Sequence, residues 1–270
     1  MSSGTAAVSF DGVGFTHRPR RREPIEAVSN LSFSAAAGEV TAIIGPNGCG
    51  KSTLLELACG LLRADTGTID AQPAALMPQQ DLLLPWAGAL DNAALALRAA
   101  GGGAAESRSA AGEWFERLGL GGFEASLPHE LSGGMRQRVA FARTVLSGRP
   151  LIALDEPFSA LDALTRIEAR GWLSDALASS GRTALLVTHD VTEAIALADR
   201  VVVLSARPAH VISEFTVDFM PAEDPHSALA LEQRDQRAVG GGQFFAPKEQ
   251  KADVVLPAGP GQRQLDHYGE

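Results

Sequence analysis

The chain has 270 residues, a formal net charge of −9 and 20% charged residues. That length suits one large core or two modest subdomains, and the acidic balance argues against a broad basic surface for nucleic acid or anionic lipid. Two cysteines, Cys49 and Cys59, exclude a disulfide framework and suit a reducing cytoplasm. No run of about 18 uncharged apolar residues is present to span a bilayer, and residues 1–9 lack the pattern of a secretory signal.

In chain order, residues 8–15 and 31–34 read as short alternating strands, and 40–44 as a denser, buried strand. A helix is expected over 54–62. Residues 87–130 are alanine-rich with a glycine break at 101–103, and predict helices near 91–99 and 113–118. This stretch looks like a helical insertion between two α/β halves, 1–86 and 131–220. Further helices are expected at 136–146 and 165–178. Residues 151–154, 183–188 and 200–204 are short apolar runs bounded by turns, as in buried parallel strands. Alternating strands and helices imply a mostly parallel sheet with helices on its faces. Beyond about Pro221 the pattern fades; 227–239 can form one helix, and 240–270 reads as a loosely held tail.

Four segments carry chemistry. Gly45, Pro46, Asn47, Gly48, Cys49, Gly50, Lys51 and Ser52 match the full spacing G-x-x-x-x-G-K-[ST], between an expected strand and an expected helix, with Thr53 a further nucleotide-binding candidate between loop and helix. Glycines let such a loop turn its N–H groups toward one centre, and a helix N-terminus adds positive character. Lys51 is placed for β- and γ-phosphates, and Ser52 for Mg2+. Only two other lysines occur, Lys248 and Lys251, so a chain that otherwise uses arginine puts a compact point charge here. Second, the apolar run 151–154 ends in Asp155 and Glu156. The aspartate fits the Mg2+ side of a phosphate site, and the glutamate is placed to polarise water. Third, Ser132 can cap the helix that follows it, and Gly133 and Gly134 expose its N–H groups, making a second anion site. Fourth, His189 stands at the end of the buried strand 183–188, where it can reach a bound phosphate.

Together these motifs resemble the nucleotide-binding subunit of ATP-binding-cassette transporters, over roughly residues 8–208. The resemblance implies a P-loop NTPase of that type: a mostly parallel core sheet, an antiparallel β subdomain and an inserted α-helical subdomain. It implies ATP and Mg2+ as ligands. Gly45–Ser52 corresponds to the Walker A loop, the strand ending in Asp155 to Walker B, and Glu156 to the catalytic carboxylate. Residues 131–137 correspond to the signature motif, with Ser132, Gly133 and Gly134 facing phosphate. Asp162 corresponds to the D-loop aspartate and His189 to the switch histidine. Gln79 corresponds to the Q-loop glutamine, serving catalysis and metal, with Gln80 the second choice. His17 stands 28 residues before Gly45, where the family has an adenine-stacking aromatic, with Phe15 nearby. The basic run 18–22 reads as a solvated loop.

The family pairs two such subunits head to tail, each ATP lying between one copy's Walker A and the other's signature. Partners implied are integral-membrane permease subunits, with a solute-binding receptor reached indirectly, at the cytoplasmic face of the cell membrane. Residues 82–86 (Leu-Leu-Leu-Pro-Trp) are either core or the lining of a groove for a partner helix. That segment and 204–208 resemble importers of nitrate, sulfonate, taurine or pyrimidine precursors. The alternative is a cassette ATPase acting on nucleic acid or ribosomes. It lacks support from heptads, from a second cassette or from basic charge, and no nucleic-acid partner is expected. A GTPase would need a guanine-reading Asn-Lys-x-Asp, which is absent.

Overall fold

The computed structural model describes residues 6–159 and 161–217. The helix expected at 227–239 and the tail at 240–270 lie outside the described residues. In chain order the elements are β1 (Ala6–His17), β2 (Ile25–Ala36), β3 (Val40–Ile44), α1 (Lys51–Ala58), β4 (Thr66–Ala71), β5 (Ala74–Met77), α2 (Ala89–Ala99) and α3 (Ala104–Arg117). They continue with α4 (Gly133–Val145), β6 (Leu151–Asp155), α5 (Ala163–Ser180), β7 (Thr183–Thr188), α6 (Val191–Leu197), β8 (Arg200–Leu204) and β9 (Val211–Thr216).

A six-stranded sheet runs in the order β5-β6-β7-β3-β8-β9. Its first five strands are parallel and β9 pairs antiparallel with β8. The fully apolar runs take the centre because parallel strands are covered on both faces, and β6 and β7 are buried at every position. Side chains alternate faithfully. Leu151, Ala153, Leu185 and Val187 join α1 in one core, while Ile152, Leu154, Ala184 and Leu186 join α2 to α5 in another. Beyond them, α6 covers Ala42, Ile44, Val201 and Val203.

A second, antiparallel sheet has the order β2-β1-β4. Its apolar face, including Val8, Phe10, Val28 and Leu31, shares the α1 core, and Phe10 stacks on Phe33 at 4.7 Å. The two sheets are stitched by backbone: Ser29 N–H donates to Ala209 O, and Ala209 N–H to Ala27 O.

Strands β3, β7 and β8 occupy the spans read from sequence. Helix α1 begins three residues earlier than expected, because Gly50 turns the chain at φ 128°. It also stops earlier, at a left-handed Gly60. Ser132 starts α4 at Gly133 by accepting from Met135 N–H at 3.2 Å. Sequence reading did not find β4, β5, α6 or β9. The first is largely exposed, with Ile69 its sole large apolar residue, and β5 has four residues. Helix α6 has seven residues, about two turns and too short a window for its period to stand out, and β9 is a largely exposed edge.

Candidate functional site

The loop Gly45–Ser52 leaves the C-terminal end of β3, beside the ends of β6 and β7, where α/β sheets present their ligand sites. Its curvature depends on two glycines. Gly48 has φ 74° and Gly50 φ 128°, and a Cβ on Gly50 would stand 2.7 Å from Ala27 O. No side chain caps α1, so its first-turn N–H groups are left to the loop. Lys51 is buried, and its Nζ donates to Gly45 O at 2.8 Å and to Pro46 O at 3.1 Å. The ammonium is therefore held inside the curl of the loop. Cys49 is buried beside it as filler, and burial pushes its thiol pKa up.

Asp155 ends β6 facing this loop. Burial raises its carboxyl pKa, a hydrogen bond with Ser52 lowers it, and neighbouring Glu156 raises it again. A hydroxyl and a buried carboxylate at one point, with negative charge adjacent, are hard oxygen donors of the kind Mg2+ takes. The residues present fit that ion.

Glu156 adopts φ 44°, a left-handed conformation costly for a residue with a Cβ. Two backbone bonds hold it there: its N–H donates to Val187 O at 2.9 Å, and Ser159 N–H donates to its carbonyl at 3.1 Å. The turn aims its carboxylate between two neighbours. Gln79 Nε2 donates to Oε2 at 3.1 Å, and His189 Nδ1 lies 3.3 Å from Oε1. Gln79 is thus the glutamine that reaches Glu156. Its amide also comes within 3.5 Å of Ser159 Oγ, the first residue of the segment that ends in Asp162.

His17 closes β1 and shares a 3.1 Å hydrogen bond between its Nε2 and Thr53 Oγ1, which brings it to the phosphate-loop helix. Phe15 meets its ring edge-on at 4.8 Å. Asp162 starts α5 by accepting from Thr165 N–H and Oγ1 at 3.1 and 2.7 Å. The turn Ser132–Gly134 stands apart. Among the described residues no hydrogen bond or ion pair joins it to Gly45–Ser52.

The residues after Gln79 are clamped to α4. Arg136 Nε donates to Asp81 Oδ2 at 2.9 Å and its Nη1 to Leu131 O at 2.8 Å. Arg143 donates to Leu82 O at 2.8 Å and to Asp81 O at 2.6 Å. Leu82 takes φ 44° within this clamp. Of residues 82–86, Leu83 joins the core, whereas Leu82 is 58% and Trp86 76% exposed. The clamp left no local sequence signal, since Asp81 lies 55 residues from Arg136. Glu193 left one: Asp190 caps α6 and Glu193 follows three residues later, a capping-box spacing. Its side chain instead turns inward and accepts from Thr188 Oγ1.

A family model described as "ABC transporter" matches residues 28–159. The chain is 41% identical over 213 residues to the formylaminopyrimidine import ATP-binding protein ThiZ of Halalkalibacterium halodurans, covering 78% of this chain and 84% of that one. It is 43% identical over 230 residues to the aliphatic sulfonates import ATP-binding protein SsuB of Cupriavidus pinatubonensis, covering 82% and 74%. To the taurine import ATP-binding protein TauB of Burkholderia pseudomallei it is 37% identical over 208 residues, covering 74% and 80%. Among solved structures it resembles the dimeric, post-hydrolysis form of the ATP-binding cassette MJ0796 bound to ADP and Pi. The TM-score is 0.69 and the identity 28%, across 79% of this chain and all of that one.

Proposed function

The chain belongs to the ABC transporter family of ATP-binding subunits, and on that premise we propose that it hydrolyses ATP to power a membrane importer. The observation that carries the reading is the strained Glu156, held between Gln79 and His189 at the strand end beside the phosphate loop. Backbone strain kept at such a point marks a functional constraint.

In this reading Lys51 and the N–H groups of Gly45–Ser52 and α1 bind the phosphates. His17 and Phe15 border the base. Ser52, Asp155 and Gln79 would hold Mg2+, which would supply neutralisation of phosphate charge. Glu156 accepts the proton of the attacking water, and His189 orients that carboxylate and reaches the transferred phosphoryl group.

The turn Ser132–Gly134 completes the site from a second copy, with Asp162 near that seam. Two observations support a head-to-tail pair. Glycine-bearing helix N-termini stand at Gly45–Ser52 and at Ser132–Gly134 without bonding to each other among the described residues, and the solved cassette it resembles is dimeric. The helical stretch 87–130 serves as the subdomain that meets permease subunits, with Leu82 and Trp86 as apolar contacts beside it. A solute-binding receptor acts through the permease. Among the described residues no helix is long and apolar enough to cross a membrane. The import names of the relatives support attachment to the cytoplasmic face through those partners. The cargo class is a small anion or organic solute such as nitrate, a sulfonate, taurine or a pyrimidine precursor. The import names of the relatives favour this over action on nucleic acid or ribosomes.

Glu156→Gln tests the reading. It should still bind ATP, lose more than about a hundredfold in kcat, roughly 2.7 kcal/mol in barrier, and elute as a dimer with ATP. Turnover within about tenfold of the parent would remove Glu156 as principal base.

A further inference from the structure

Glu193 is 4% exposed on α6, one helical turn past His189. Its Oε2 accepts from Thr188 Oγ1, and that hydroxyl accepts from Asp190 N–H at 3.0 Å. Both residues flanking His189 are thereby tied to one buried carboxylate. Its other oxygen, Oε1, lies 3.8 Å from Arg166 Nε on α5. That nitrogen is buried and has no hydrogen-bond partner. The same guanidinium donates through Nη2 to Leu161 O at 3.1 Å, and its Nη1 stands 3.9 Å from Asp190 Oδ2.

Arg166 is thus anchored to the turn before α5 at one end, and at the other stops short of two carboxylates on the turn that carries His189. The pair is open by about 1 Å relative to a hydrogen-bonded one, and the orphaned Nε gains an acceptor if the gap closes.

We propose that Arg166 and Glu193 are positioning residues that couple the Leu161–Asp162 turn to the His189 turn. A second copy pressing on the first turn shifts Arg166 onto Glu193 and sets the place of His189 against Glu156. The ionisable groups facing Glu193 are Arg166, Asp190 and His189. This coupling rests on the head-to-tail pairing proposed above.

The test is steady-state ATP hydrolysis by the purified full chain carrying Glu193→Gln, Arg166→Met, Arg166→Lys, or Glu193→Gln with Arg166→Met. Each of Glu193→Gln and Arg166→Met should lower kcat about tenfold with KM within about twofold, and the double variant should be no slower than the slower single. Arg166→Lys should recover part of the loss, which mere loss of packing would not predict. Multiplying losses in the double variant, or an unchanged kcat in Glu193→Gln, overturns the proposal. Should Glu193→Gln fail to fold, equal loss in Arg166→Met and Arg166→Lys overturns it as well. Gel filtration of Glu156→Gln with ATP, with and without Glu193→Gln, separates the two ideas. Absence of a dimer in both sinks the pairing, whereas non-additive kinetics report on the Arg166–Glu193 link directly.

Discussion

At the residue scale, burial holds several groups toward their neutral form. Cys59 borders the end of α1, where burial, with Glu56 adding to it, pushes its thiol up to about 11. In a Cys49→Ala chain, labelling by a thiol reagent should therefore be slow at neutral pH. It should then climb about tenfold per pH unit up to pH ~10, without levelling in the ordinary thiol range. Glu193 gives a second expectation. Burial raises its carboxyl above the ordinary 4.5, and the Thr188 hydrogen bond only partly offsets this. Below pH 4.5 it is neutral in both folded and unfolded chains. As pH rises from there the unfolded chain releases its proton first, so the folded state loses stability until its own raised pKa is passed. Urea midpoints of Glu193→Gln should accordingly gain on those of the parent as pH rises above 4.5, then run parallel. An advantage that shrank with pH would contradict the sign.

At the element scale, the junction of phosphate loop and α1 depends on backbone that only glycine adopts freely. Gly50 combines φ 128° with a backbone carbonyl, Ala27 O, where a side chain would begin. Neither the turn nor β2 can yield cheaply, because β2 is stitched to the core through Ala27 and Ala209. Gly50→Ala should cost about 2–4 kcal/mol in denaturant unfolding, combining strain and steric clash, and should lose ATP binding with it. The same change at Gly38, which has φ 81° but open space around a Cβ, should cost only about 1 kcal/mol. The Asp81–Arg136–Arg143 clamp belongs to this scale too. It carries the backbone beyond Gln79 on α4, the helix that begins at the Ser132–Gly134 turn. Gln79 at Glu156 and the Ser132–Gly134 turn are therefore joined within one chain through Asp81 and α4.

At the scale of the whole molecule, the proposal that each site is shared between two copies has a quantitative consequence. Lys51→Ala removes the phosphate-loop contribution and Ser132→Arg blocks the opposing turn; each variant alone should be nearly inactive. In a mixed pair both defects fall in one site and the other is intact. An equimolar mixture should recover about a quarter of parental ATPase activity, since half the pairs are mixed and each has one of two sites whole. A site complete within one chain would give no recovery.

How much of this was legible depends on the range of the physics involved. The phosphate loop, the acidic end of β6, the Ser132 cap and the strands β3, β7 and β8 are local. Glycine conformations, helix capping and an unbroken apolar run are written in consecutive residues, and the sequence alone located them. It also pointed to Gln79 and His17, which the fold brings to Glu156 and Thr53. Edge strands β4 and β9 were not legible, because partial exposure erases the apolar signal that marks a strand. The strain at Glu156, the exposure of Leu82 and Trp86, the clamp on Asp81 and the open Arg166–Glu193 gap were decided only by tertiary structure. Each depends on groups tens of residues apart meeting at one point, and their spacing along the chain carries no trace of that distance in space.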